Sequence, residues 1–304
     1  ARDYFLKRRE KEWAHKKLRQ MASLLDDQGK NEPRIAIYEY LLADNPADKR
    51  APDYWESIID GKKKIGVRED WEKSVRSMIG YFDQNGKWWA ANRDDKKSQG
   101  NAALMAEGYL GQLATEYHQK EQKESDPKLY AQAAKDYELF LEKFPKSEYS
   151  YDTRFYFAEI LFDELKQFEK AADQYKLVIN EKPKGEHAKH CQFARIKAYE
   201  NLVLSTHKES VLLTLKDEKK EVRMEAVDKG KELSGEAKKR ERSDLFDWEV
   251  KFIDASDEWA EVYPEDENTP TINFVSAEVF RSHGQYDKAV PRYEAIIKYA
   301  PKHS

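Results

Sequence analysis

Large apolar residues recur along this chain in one short phrase: a tyrosine, two apolar residues three and four places later, and a proline eight places later. The phrase reads Tyr38, Leu41, Leu42, Pro46; Tyr137, Phe140, Leu141, Pro145; Tyr175, Val178, Ile179, Pro183; and Tyr293, Ile296, Ile297, Pro301. This spacing gathers the apolar side chains on one helical stripe, and proline, which has no N–H for the helical ladder, closes each helix just beyond them. Four places before the tyrosine stand Ala133, Ala171 and Ala289, small enough to let a neighbouring helix come close, whereas the first copy has Arg34 there. Two weaker copies keep the phase: Ser256, Trp259, Ala260, Pro264, and Val75, Met78, Ile79, Asp83.

Six units result, closing at positions 46, 83, 145, 183, 264 and 301. Three of the five steps are 37 or 38 residues, and the other two, of 62 and 81, contain insertions that a stacked array tolerates because each unit touches only its neighbours. In the clearest units a second helical pattern precedes the closing one: Thr153–Phe162 ahead of Glu169–Ile179, and Ile272–Arg281 ahead of Asp287–Ile297. Each unit is therefore read as a helical hairpin, with His283 to Asp287 supplying a turn in which glycine takes a left-handed backbone. Counted from the preceding proline, Phe155, Ala158 and Glu159 stand at the same offsets as Phe274, Ala277 and Glu278, but the first of these units carries one extra residue before its turn, leaving its register open by one.

Hairpins with an alanine, an aromatic four places on and a proline eight beyond that resemble tetratricopeptide repeats. The resemblance is good over 129–185 and 244–304 and fair over 31–86; it departs in its period of 37–38 instead of 34 and in lacking the first-helix Trp and Leu-Gly. The runs Phe144-Pro145-Lys146-Ser147 and Tyr263-Pro264-Glu265-Asp266 resemble the variant in bacterial cell-envelope and gliding-motility tetratricopeptide proteins. The fold it implies is an all-α superhelical array of about six antiparallel helix pairs, elongated over 1–304. Within it are degenerate repeats at 1–86, a first insertion and linking helix at 87–128, clear repeats at 129–204, a charged helical insertion at 205–243 and C-terminal repeats at 244–304.

The resemblance also implies a non-catalytic scaffold that holds a peptide or helix of one or more partner proteins in the concave groove lined by the first helices. Carrying over the partner-facing positions gives Glu159, Phe162, Glu278 and Arg281, with Phe155 and Phe274 as further candidates for which burial is the stronger expectation, because recurrence at a fixed offset from proline is what packing demands. The paired Lys and Asn of the family's carboxylate clamp are absent from these helices. A periplasmic or outer-membrane-associated location in a bacterium follows from the same resemblance, with a cytoplasmic adaptor for a regulatory GTPase or signalling complex as the alternative.

Composition fits a solvated helical array: charged residues make up 37% of the chain, and no apolar run approaches the roughly 20 residues of a membrane span. No charged-then-apolar leader or lipid-attachment cysteine is present in this sequence, and a polar capping helix beyond Ser304 is expected of such an array. The net charge of −4 is unevenly placed, with eight basic and three acidic residues in 1–20 against one basic and eleven acidic in 244–278. Oppositely charged ends suit two binding regions of opposite sign or head-to-tail self-association, but a solvated helix face at each end is the preferred account, since exposed charge is normal on repeat surfaces. A single basic helix in a slightly acidic protein, with no aromatic platform, argues against nucleic acid.

Chemical motifs are sparse. His187, His190 and Cys191 have metal-ligand types at close spacing but no evident fourth ligand, so no metal or cofactor is assigned. Adjacent Trp88 and Trp89, beside Asn85 and Gly86, admit a rival reading as a sugar-stacking pair in a glycan- or peptidoglycan-binding or -processing envelope protein, against core packing as the commoner fate. Nucleophile elbows, phosphate-binding glycine loops and metalloprotease helices do not occur, and no enzyme is expected.

Overall fold

A computed structural model describes residues 11–124, 127–206 and 243–299. Among the described residues there are thirteen α-helices and no strand, and the chain divides into two compact units, up to Pro145 and from Lys146 onward. No helix among them is long and apolar enough to cross a membrane. The predicted insertion at 205–243 lies almost entirely outside the described residues, as do residues 1–10 and Pro301.

The first unit comprises α1 (Lys11–Asp27), α2 (Asn31–Asp44), α3 (Ala51–Ile65), α4 (Arg68–Tyr81), the short α5 (Lys87–Ala91), α6 (Lys96–Glu124) and α7 (Pro127–Lys143). Helices α1 to α4 pack in sequence, and α6 lies against α3, α4 and α7. Gly66, at φ +85°, caps α3 in the left-handed region that an L side chain enters only with strain, and its N–H bonds the Lys62 and Lys63 carbonyls.

The second unit comprises α8 (Ser150–Glu159), continued by a π-helical turn (Ile160–Glu164), then α9 (Phe168–Glu181), α10 (Ala188–Thr206), α11 (Asp247–Val262), α12 (Thr269–Ser282) and α13 (Tyr286–Tyr299). Each helix packs on the next, including α10 on α11 although 40 residues of chain separate them. Arg195 of α10 and Lys176 of α9 both reach Glu258 of α11, at 2.7 and 2.6 Å.

The repeating phrase closes its helices as its chemistry requires. Pro46, Pro145, Pro183 and Pro264 each stand two residues past the end of α2, α7, α9 and α11, and Asp83 takes the same place after α4. At all five ends the residue just before the closing position repeats one bond. The N–H groups of Asn45, Phe82, Phe144, Lys182 and Tyr263 donate to the carbonyls of Leu41, Met78, Phe140, Val178 and Trp259, the first apolar residue of each phrase. The stripe itself is inside: Tyr175, Val178 and Ile179 are buried, each worth about 1.5–3 kcal/mol in apolar transfer.

Crossings depend on the small residue. Ala133, Ala171 and Ala289 are all buried. Arg34, in the same place, is also buried, and the space comes instead from the facing helix, where a Cβ on Gly61 would lie 2.8 Å from the Arg34 Nη2 and from Ile35 Cδ1. The guanidinium is held by Asp26, Asn31 and Asp60.

The extra residue of the α8–α9 hairpin is absorbed by the π turn. Leu165 N–H bonds the Ile160 carbonyl five residues back, and Gln167 N–H reaches Leu161 six back, where the equivalent Gln285 N–H of the α12–α13 hairpin reaches Phe280 five back. The register left open in the sequence is thus settled within α8, and Lys166 (φ +52°) stands where the other hairpin has Gly284 (φ +66°).

Candidate functional site

Two of the phrase tyrosines, both in the second unit, anchor the first helix of their own hairpin. Tyr175 of α9 donates its hydroxyl to Glu159 of α8 at 2.5 Å, and Tyr293 of α13 donates to Glu278 of α12. Glu278 is buried and also receives the Arg281 guanidinium, whose Nε lies 2.9 Å away. Both glutamates, carried over as partner-facing, therefore serve within the hairpin: a carboxylate accepting a tyrosine hydroxyl and a second cationic donor has little left to offer a partner. Arg281 remains exposed at its edge, with its charge committed to Glu278. Phe162 packs edge-on against Phe168 and Tyr175 and belongs to the core.

The two phenylalanines at the shared offset diverge. Phe155 is half-buried and stacks on His187, ring centroids 3.9 Å apart and 5° from parallel. Phe274 is 44% exposed, touching only the edge of Tyr293 at 6.2 Å among ring contacts, so the expectation of burial fails there. Tyr149 and Tyr156 of the α8 end add exposed aromatic surface.

In the His187, His190, Cys191 group the two histidines reach carboxylates and the cysteine is buried. His187 Nε2 lies 3.2 Å from Asp152 and His190 Nε2 3.0 Å from Glu159, so His187 just ahead of α10 and His190 in its first turn clip two carboxylates seven places apart on α8. The hydrogen bond with Glu159 raises the His190 pKa against the opposing effect of its burial. Burial works against the Glu159 charge, but the bonds from His190 and Tyr175 outweigh it and hold that carboxyl below its ordinary range. Cys191 is fully buried, and burial followed by the nearby Glu159 charge pushes its thiol up to about 12. No group of three or more ligand-type side chains suited to a metal occurs among the described residues.

Trp88 is buried, donates Nε1 to the Asp48 carbonyl at 2.8 Å and meets Phe82 edge-on, which removes it from any sugar-stacking surface. Trp89 alone reaches a small hollow of about 210 Å3, which it lines with Asp83, Asn85, Lys143 and Phe144. The acidic stretch 244–278 is partly neutralised within the fold: Glu249 pairs with His283, Asp257 with Arg292, Glu258 with Lys176 and Arg195, and Asp266 with Lys189. Its proposed basic counterpart in 1–20 falls half outside the described residues.

One open groove escaped the sequence reading. It lies in the first unit between α3 and α6, holds about 460 Å3, and is lined by Asp53 and Glu56 on one side and Leu104, Met105, Gly108 and Tyr109 on the other. The only advance signal was Leu104, an apolar residue off the buried stripe of Ala102, Ala106, Leu110 and Leu113. No protein-family model matches the chain, and no curated protein matches it.

Proposed function

We propose that this chain is a non-catalytic scaffold of the tetratricopeptide type, in which each hairpin stacks on its neighbour and the first helices, α3 and α6 in the first unit and α8, α10 and α12 in the second, receive partner proteins. The observation that carries the reading is the paired tyrosine-to-glutamate bond of the α8–α9 and α12–α13 hairpins. A bond repeated at equivalent places ties α8 to α9 and α12 to α13, which leaves the opposite face of each first helix to be presented. Exposed Phe274, Tyr149 and Tyr156 give that face the aromatic surface that dominates interface energetics. The proline-linked runs at 144–147 and 263–266 favour a bacterial envelope or motility assembly as its setting.

Crosslinking in native cells followed by identification of attached proteins tests this directly. Defined partners should be recovered with the parent chain and reduced at least several-fold by Phe274→Ala, with the melting temperature changed much less than by truncating a buried ring, because that residue is 44% exposed. Recovery of no reproducible partner, or retention of all partners by variants on every exposed first-helix face, overturns the scaffold reading.

A further inference from the structure

The groove between α3 and α6 has a floor, a charge and a length. On α6 its residues Asn101, Leu104, Met105, Gly108 and Gln112 fall at intervals of three and four, one continuous helical face, while Ala102, Ala106, Leu110 and Leu113 on the other side are buried. Leu104 is 70% exposed, a large apolar side chain with no cover. Opposite it, Asp53 and Glu56 of α3 are exposed, stand three places apart with Cβ atoms about 5–6 Å from each other, and have no ion-pair partner among the described residues. No lysine or arginine lines the groove. Burial, followed by the charges of Glu56 and Asp60, raises the pKa of Tyr109 on the groove wall.

Gly108 supplies an independent observation. Glycine inside a helix costs about 0.5–1 kcal/mol relative to alanine and normally has a packing reason. At Gly111, one turn on, a Cβ would meet Phe140 at 3.5 Å, an ordinary contact. At Gly108, as at Gly100 of the same helix, a Cβ would meet nothing within 4 Å, so no neighbour in the fold requires the glycine, and its bare backbone leaves the groove wall without a side chain there.

We infer that this groove docks a cationic peptide segment of a partner protein, placing a lysine or arginine between Asp53 and Glu56 and an apolar side chain over Leu104, Met105 and Gly108. The eleven-residue separation of Asn101 and Gln112 spans about 16 Å of helix, the length of about five extended residues. The side-chain amides at the two ends can each donate to and accept from a peptide backbone. The inference rests on the scaffold reading for the occupant being protein, and it adds the place, the charge and the length.

An array of seven-residue peptides combining leucine with lysine, arginine, serine or glutamate tests it on the full chain. Peptides with a cation beside leucine should be retained at least tenfold better than their glutamate counterparts at about 50 mM salt, and the preference should shrink at about 500 mM, where charges are screened within a few ångströms. Asp53→Lys with Glu56→Lys should reduce retention at least tenfold. Gly108→Trp, which fills the groove from a helical position free of contacts, should abolish it while leaving the melting temperature equal or higher. No retention, no cation preference, or binding that survives both variants overturns the inference. If partners crosslinked in cells persist in both groove variants and depend on Phe274, the scaffold stands and only this assignment falls.

Discussion

The α8–α9 and α12–α13 hairpins share one sequence phrase and solve the same packing problem with different neighbours. In both, a buried alanine sets the crossing and a tyrosine hydroxyl reaches back to a first-helix glutamate. In the first, Glu159 is further clasped by His190 of the following helix α10, whereas in the second Glu278 is clasped by Arg281 of its own helix. The repeat unit is thus the tyrosine–glutamate bond and the small crossing residue, and the third partner of the carboxylate is whatever the local surroundings supply. Differences in covering follow: Tyr175 is fully buried, Tyr293 only partly, and Ile297 of α13 is 71% exposed where its counterpart Ile179 is buried.

The sharpest test truncates both tyrosines. Tyr175→Ala should destabilise by about 3–5 kcal/mol, the range for removing a buried aromatic, and Tyr293→Ala by about half as much, as read from urea unfolding. Equal losses would mean that burial does not distinguish the two hairpins. Removing only the hydroxyl comes next: Tyr175→Phe takes one bond from a carboxylate and should cost about 1–3 kcal/mol, with Tyr293→Phe at the lower end because two guanidinium nitrogens still hold Glu278.

Turn chemistry offers a reciprocal exchange. A side chain at left-handed φ costs about 1–2 kcal/mol relative to glycine, so Lys166→Gly should raise the thermal midpoint and Gly284→Lys should lower it. Movement in the same direction for both would show that the π turn had already relaxed the Lys166 backbone.

The smallest expected effect is on pH dependence. His190, with its pKa raised above 6.5, contributes stability that is complete below that value and disappears as pH rises through the raised value. Glu159, lowered below 4.5, contributes stability that is complete above 4.5 and is lost as pH falls through the lowered value. The clasp is therefore strongest between these limits. Thermal midpoints of parent and His190→Gln should approach one another as pH is raised from 6 to 8, while Arg281→Gln should produce no such convergence because a guanidinium does not titrate there.

Much of the fold was legible because proline and the three-four spacing act locally: each closing helix, and the first helices ahead of 169 and 287, follow from residues within a few turns. Features that depend on a distant side chain were not legible. Arg34 looked like a breach of the alanine rule because its remedy, Gly61, lies on another helix. The surplus residue of α8 could be counted but not located, since a π turn leaves the apolar pattern on either side intact. Glu159 and Glu278 were read outward because a glutamate at a fixed offset is the same letter whether it meets water or a hydroxyl. The clue was the phrase preferring tyrosine to phenylalanine, a ring with something to donate. The α3–α6 groove fell in a stretch without the phrase, where periodicity is silent about which face is left bare.

Cys191 has a practical consequence. It is the sole sulfhydryl of the chain, sealed at 0% exposure and pushed up to about 12, so maleimide and iodoacetamide reagents will pass it by at neutral pH. A cysteine introduced at Leu104 would then be the one reactive handle, and a fluorophore placed there would report occupancy of the groove without any need to strip the native thiol first.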